Sequence, residues 1–186
     1  MKQRSLNEEK VVIAATELAK KDGLESVTLT KTAKSLDIQP QSMYRYVKNT
    51  TDLKAKILAN NLQLLVDQLY EKLIGVSGEE ALLNLVTTVA FGEYTQIMPH
   101  DFAGVSKYLE YSDVKEQYDR LYSMLPKLLK TFINDSDTIR RGTQVLADYM
   151  LGESVTSRNN NDSDQDLRKK DFLINVKNII EMLKNL

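Results

Sequence analysis

The stretch TLTKTAKSLDIQPQSMYRYVK, residues 28–48, contains two short amphipathic runs separated by a tight turn at residues 36–38. In the first run, Leu29 and Ala33 share one face at helical spacing, while the opposite face is polar. The second run begins at Pro40, which suits the first turn of a helix because its missing N–H would have no partner there. Two helices joined in this way are typical of a helix-turn-helix, in which the second helix enters the major groove of DNA.

The second run has an apolar side and a polar side. Met43 and Val47 are predicted to point inward. The outward positions are polar or charged, namely Gln39, Gln41, Ser42, Arg45, Tyr46 and Lys48. An alternative interpretation is a plain corner between two helices whose outward side chains only keep it soluble.

The flanking sequence favours the helix-turn-helix. A helix predicted over 7–21 is followed by Asp22-Gly23, a good helix stop. After the second run, Asn49 or Thr51 is a candidate cap for a long helix, and an acidic residue at position 52 suits its N-terminus. The pattern therefore predicts three compact helices that lead directly into a long fourth helix.

Residues Val11 to Leu62 resemble the N-terminal domain of the tetracycline-repressor (TetR) family of bacterial transcriptional regulators. The matching positions occur in order and without gaps: Ala14-Ala15, Leu18, Gly23, Val27-Thr28-Leu29, Ala33, Leu36, Tyr44, Tyr46-Val47-Lys48-Asn49 and Leu53. The motif covers about a third of the chain. The remainder is similar to the family only in length and helical character.

Two positions depart from the family pattern. Asp37 stands where members usually have a glycine, in a turn that often requires φ > 0, and Asp tolerates this conformation better than most residues but less freely than Gly. Thr50 stands where many members have a lysine that contacts the DNA backbone, although Lys54 and Lys56 lie nearby.

The resemblance and the helical geometry agree on the residues that would contact DNA. The candidates for base edges are Gln39, Gln41, Ser42 and Arg45. Glutamine can pair with adenine and arginine with guanine through two hydrogen bonds each. The candidates for phosphate contacts or support are Tyr44, Tyr46, Lys48, Thr28, Thr30 and Lys31. For Tyr44, packing of the ring against the first helix is an equal alternative.

Charge and composition limit the functional classes. Residues 1–56 have 11 basic and 7 acidic residues, a net charge of +4, whereas residues 57–186 have 14 basic and 19 acidic residues, a net charge of −5. This asymmetry is expected if only the first part contacts nucleic acid. The chain has no cysteine, and His100 is its only histidine, so we expect no catalytic triad, no metal site, no cofactor and no enzyme activity. No apolar run is long enough for a membrane span, which predicts a soluble cytoplasmic protein.

The predicted fold is all-α, with about nine helices in two domains. Residues 1–56 form the helix-turn-helix DNA-binding domain, and residues 57–186 form a helical ligand-binding and dimerisation domain. In the second domain, Ser77-Gly78-Glu79-Glu80 is predicted to be a capping box.

Two helices of the second domain, over about 135–156 and 167–186, are rich in apolar residues. Paired about a two-fold axis, they would form a four-helix interface, which is how members of the resembled family dimerise. In the alternative, both helices pack entirely within one subunit.

The middle helices are rich in aromatic residues. The candidate ligand-binding residues are Tyr94, Met98, Phe102, Tyr118, Tyr122 and Tyr149. Few charges lie among them, which favours a small, largely apolar effector; alternatively, an aromatic stripe of this kind is simply core. By family resemblance, the effector would release a homodimeric repressor from a palindromic operator. In the alternative, the chain is a helical protein of the same fold that acts through protein partners. Its N-terminal DNA-binding domain, residues 1–56, which we call the head, would then be vestigial.

Overall fold

The computed structural model describes residues 6–92, 105–156 and 162–186, apart from the side chains of 155 and 162–164. The described residues form seven α-helices and two short 3-10 segments, with no strand among them, so the all-α prediction is confirmed. The helices are α1 Glu8–Asp22, α2 Leu29–Ser35, α3 Thr50–Leu73, α4 Gly78–Phe91, α5 Ser112–Leu129, α6 Ser136–Thr156 and α7 Asp162–Lys184. The 3-10 segments are Leu24–Ser26 and Pro40–Arg45.

Helix α7 begins at Asp162, five residues before its predicted start. The predicted start at about position 167 was wrong because the polar residues before that position show no apolar periodicity. The sequence has three aspartates between positions 162 and 166, and acidic residues are favoured in the first turn of a helix.

The chain divides into two compact units. The described part of the first unit comprises residues 6–62 and 105–116, and that of the second comprises 63–92, 117–156 and 162–186. The sequence prediction placed a single boundary after residue 56. The structure differs from this prediction because the first unit extends to Leu62 and also includes the segment 105–116, which begins more than forty positions after Leu62.

The first unit has an apolar interior to which the distant segment contributes. Side chains from α1, the turn region and α3 are buried, among them Val11, Ala15, Val27, Ala33, Met43, Leu53 and Ile57. Val105, Tyr108 and Val114 of the later segment are also buried.

The second unit has its core between α4, α6 and α7, with contributions from α3 and α5. Phe172 lies in this core and is 1% exposed. Its ring meets the Phe91 ring edge-on, with the two ring centroids 5.3 Å apart, and stacks on the Tyr149 ring, with the centroids 5.0 Å apart. Helices α6 and α7 approach closely at Gly142, where an added Cβ would lie 2.7 Å from a methyl carbon of Leu183. The absence of a side chain at Gly142 therefore leaves room for Leu183 at this point of contact.

Helix caps agree only partly with prediction. The side-chain oxygens of Asn7, Thr28, Asn49 and Asp135 each accept a backbone N–H at a helix start. Ser77 makes no such bond, so the predicted capping box at residues 77–80 was wrong. Gly78 has φ +62°, a backbone conformation outside the right-handed helical range of the S-x-x-E motif.

Candidate nucleic-acid interface

The turn between α2 and the Pro40–Arg45 segment contains a left-handed residue. Asp37 has φ +54° and is the only non-glycine among the described residues with positive φ. Its N–H donates to the Lys34 carbonyl at 3.3 Å, and the N–H of Ile38 donates to the Ala33 carbonyl at 3.0 Å. The aspartate therefore occupies the conformation for which the family uses glycine.

Asp37→Gly is expected to raise the free energy of unfolding by about 0.5–1 kcal/mol, because glycine adopts positive φ without the steric penalty of a Cβ. Asp37→Ala is the matched control and should lower stability, since alanine has the Cβ without the local hydrogen-bonding capacity of aspartate. Urea unfolding of the three proteins measures the difference. A glycine variant less stable than wild type would contradict a steric cost at this position.

The Pro40–Arg45 segment is held by two buried side chains and by its own backbone. Met43 is 0% exposed and Val47 is 3% exposed, as predicted. The N–H groups of Ser42 and Tyr46 donate to the carbonyls of Gln39 and Met43, both at 2.9 Å. The segment is six residues of 3-10 helix, which is longer than the three to four residues usual for this geometry.

The candidate base-reading and phosphate-contacting side chains lie at the surface. Tyr44 is 65% exposed, so most of its side chain is in solvent. Ser42 and Tyr46 are half-buried. The remaining candidates are exposed: Thr28, Thr30, Lys31, Gln39, Gln41, Arg45 and Lys48.

The start of α3 fixes the backbone of Lys48. Asp52 is 8% exposed, and its Oδ2 accepts the N–H of Lys48 at 2.8 Å. The N–H of Asp52 in turn donates to Oδ1 of Asn49, also at 2.8 Å. Sequence reasoning placed Asp52 at a helix N-terminus but missed its bond to Lys48. The sequence feature that could have indicated this bond is the spacing of Asn49 and Asp52, a capping residue followed three positions later by a carboxylate.

A groove of about 380 Å³ lies beside these side chains within the first unit. It is lined by Tyr44 and Lys48 on one side and by Tyr111 and Asp113 of the later segment on the other. Lys56 donates to the Glu8 carboxylate at 2.8 Å across it, and this hydrogen bond raises the pKa of the Lys56 ammonium. Residues 111–114 were not among the predicted site residues, because nothing in their local sequence links them to the head.

The predicted effector residues fall into two groups. Tyr94, Met98 and Phe102 lie outside the described residues. Tyr118 stacks on Tyr122 with ring centroids 6.1 Å apart, and burial raises the pKa of the Tyr118 phenol.

The sixth predicted effector residue, Tyr149, stacks on Phe172. Its hydroxyl accepts a hydrogen bond from Nδ2 of Asn175 at 2.8 Å. Tyr149 therefore contributes its ring to the core of the second unit and its hydroxyl to a contact with α7.

Among the described residues, none of the helices is both long enough and apolar enough to cross a bilayer. No group of three His, Cys, Asp or Glu side chains in those ranges is arranged to hold a metal ion.

No protein-family model matches the chain. Over 80 residues the chain is 28% identical to an uncharacterized HTH-type transcriptional regulator, YobS, of Bacillus subtilis (strain 168). The match covers 43% of this chain and 42% of the relative, so it spans less than half the length of the curated relative.

Solved structures match over nearly the whole chain. The transcriptional regulator FadR from Bacillus subtilis, in complex with stearoyl-CoA, aligns with a TM-score of 0.63 at 14% identity, over 94% of this chain and 96% of that one. A possible TetR family transcriptional regulator from Streptomyces coelicolor A3(2) aligns with a TM-score of 0.54 at 14% identity, over 96% and 97%. At these identities the likeness concerns the fold. The chain therefore has the all-α fold of TetR-family regulators, with a helix-turn-helix near its N-terminus.

Proposed function

We propose that this protein is a homodimeric transcriptional repressor in the cytoplasm. It binds double-stranded operator DNA through the Pro40–Arg45 segment and its neighbours, and a small, largely apolar effector releases it. Its likeness to an HTH-type regulator in sequence and to regulators in fold supports the class.

The observation that carries the proposal is the set of exposed donors and acceptors on an anchored segment. Met43 and Val47 are buried, and this orients Gln39, Gln41 and Arg45 toward solvent from the same short segment. Because its backbone is fixed before DNA arrives, little conformational entropy is lost when these side chains meet base edges. The net charge of +4 over residues 1–56 adds attraction to phosphates.

The test is binding of the full-length protein to the DNA upstream of its own gene, measured by fluorescence anisotropy at several salt concentrations. Specific binding should exceed binding to a shuffled duplex by about 10³-fold or more at physiological salt. Equal affinity for both duplexes would refute operator recognition and favour the alternative of a partner-binding protein with a vestigial head.

Dimerisation through α6 and α7 is supported by apolar side chains left at their surface. The inner faces of both helices are buried in the core of the second unit. On the outside, Val145 is 43% exposed, Ile174 is 47% exposed and Leu167 is 59% exposed. A second copy of these helices would remove those side chains from water, in the four-helix arrangement expected from the sequence.

Val145→Lys combined with Ile174→Lys is expected to convert the dimer to a monomer, because four lysines would then meet across the two-fold axis without partners. Sedimentation velocity at micromolar protein concentration measures the change. Ile13→Lys is the matched control, since Ile13 is an exposed apolar residue of α1 in the first unit, 52% exposed. A wild-type monomer, or a double variant that stays dimeric, would contradict this interface.

Effector binding is supported by the fold and by the partly buried aromatic residues of the second unit. A solved regulator of this fold contains stearoyl-CoA, a ligand with a long apolar chain. Tyr118 and Tyr149 are only half-buried and present apolar rings with polar hydroxyls, a combination that orients small ligands. Helices α3 and α5 both contribute residues to the two units. Of these, α3 directly follows the DNA-binding segment, so a bound ligand would change the position of that segment through α3.

The effector proposal is tested by repeating the DNA titration with a panel of acyl and aromatic compounds. At least one compound should lower operator affinity, and Tyr118→Ala should abolish its effect without changing affinity in its absence. Operator affinity unchanged by every compound would exclude ligand-gated release.

A further inference from the structure

A second groove, of about 480 Å³, lies within the second unit between α3, α4 and α7. Three lysines line it, Lys72, Lys169 and Lys177, against a single acidic residue, Glu80. The groove beside the DNA-binding segment has three basic and three acidic residues on its walls and is therefore balanced. The excess of positive charge is notable because residues 57–186 have a net charge of −5.

One lysine is already oriented by the protein. Nζ of Lys72 donates to Oγ1 of Thr88 at 3.1 Å, and Thr88 is only 5% exposed. This bond uses one of the three ammonium protons and holds the others at the groove wall. Among the ion pairs between described residues, none involves Lys72, Lys169 or Lys177.

The helix directions place a second lysine near the first. Helices α4 and α7 run antiparallel, because Lys184 pairs with Glu79 at one end and Phe172 packs on Phe91 at the other. In this register Thr88, which holds Lys72, is level with about residue 175 of α7, so Lys177 lies about 3 Å from that level along the helix axis. Lys169 is eight residues from Lys177 toward the N-terminal end of α7, about 12 Å at the rise of an α-helix.

The rest of the lining is suited to an organic ligand. Asn84 and Thr87 offer side-chain hydrogen-bonding groups, whereas Leu83 and Leu173 offer apolar surface. The volume falls within the range of about 300–1,000 Å³ that is usual for small-molecule sites.

We propose that this groove binds a small organic dianion of the phosphomonoester kind. The anionic group lies between Lys72 and Lys177, and the apolar part lies over Leu83 and Leu173. The site contains none of the aromatic residues proposed for the effector, and its occupancy does not depend on DNA binding.

The probe is phenyl phosphate, titrated into the full-length protein at low ionic strength and followed by NMR of methyl-labelled leucines together with calorimetry. The signals of Leu83 and Leu173 should shift and saturate. Inorganic phosphate, which lacks the ring, should bind more weakly, and uncharged phenol should not saturate the site.

Three variants test the charge assignment. Lys169→Gln combined with Lys177→Gln should weaken phenyl phosphate binding about tenfold, as expected for two partly screened charges. Glu80→Gln should tighten binding, because it removes the only negative charge on the wall. Lys170→Gln is the matched control, since Lys170 is exposed on α7 but does not line the groove, and it should bind as wild type.

The proposal is overturned if the Leu83 and Leu173 signals do not respond to phenyl phosphate. It is also overturned if phenol or inorganic phosphate binds as tightly, or if Lys170→Gln weakens binding as much as the double variant. A Glu80→Gln variant that weakens binding would equally exclude an anionic ligand.

Discussion

Arg45→Ala is expected to weaken specific operator binding by about 5- to 150-fold, equivalent to the 1–3 kcal/mol that a bidentate contact with guanine contributes. Arg45 is exposed at the C-terminal end of the Pro40–Arg45 segment, and its removal leaves the buried anchors Met43 and Val47 untouched. The free energy of unfolding should therefore stay within about 0.5 kcal/mol of wild type. The loss would concern recognition and not folding.

Fluorescence anisotropy with operator and shuffled duplexes separates base reading from phosphate binding. Arg45→Ala should lower mainly the affinity for the operator duplex. Lys48→Ala should lower the affinity for both duplexes similarly and should reduce the slope of log affinity against log salt concentration by about one. Arg140→Ala is the charge-matched control, since Arg140 is exposed on α6. Equal losses on both duplexes for Arg45→Ala would show that Arg45 contacts the backbone and reads no base.

Phe172→Ala is expected to lower the free energy of unfolding of the second unit by about 3–5 kcal/mol. The Phe172 side chain is 1% exposed. Its ring packs against the rings of Phe91 and Tyr149, with centroid-to-centroid distances of 5.3 and 5.0 Å. Truncation removes both ring contacts and leaves a cavity that three packed helices, α4, α6 and α7, can collapse only partly.

Urea unfolding followed by circular dichroism measures this effect, with all proteins at one concentration because subunit association would add to stability. Met182→Ala is the control on the same helix, since Met182 is 52% exposed, and it should cost less than about 1 kcal/mol. A Phe172→Ala protein as stable as this control would contradict a central packing role for the ring.

The helix-turn-helix was accessible from sequence because its geometry is local. Met43 and Val47 are four positions apart on one helical face, and the structure buries both. The same spacing predicted the exposed positions of Gln39, Gln41 and Arg45. Asp37 was recognisable as a left-handed turn residue because the required φ depends only on its own backbone and neighbours.

Other features of the two units were not accessible in this way. The predicted capping box at Ser77 failed since a motif of four residues does not specify the φ of Gly78. The bond between Asp52 and the Lys48 amide depends on the angle at which the chain enters α3. The burial of Tyr108 and Val114 in the first unit involves residues more than forty positions beyond Leu62, where the earlier stretch of that unit ends.

By itself, the amino-acid sequence determined an all-helical protein with a helix-turn-helix near its N-terminus, because helix periodicity, turn chemistry and caps act over a few neighbouring residues. Only the tertiary structure decided which distant segments complete the head and which lysines line one groove in the second unit. Lys72 and Lys177 are more than a hundred positions apart. Their proximity follows from how α3, α4 and α7 pack, and that packing is the joint result of many weak apolar contacts that no short pattern records.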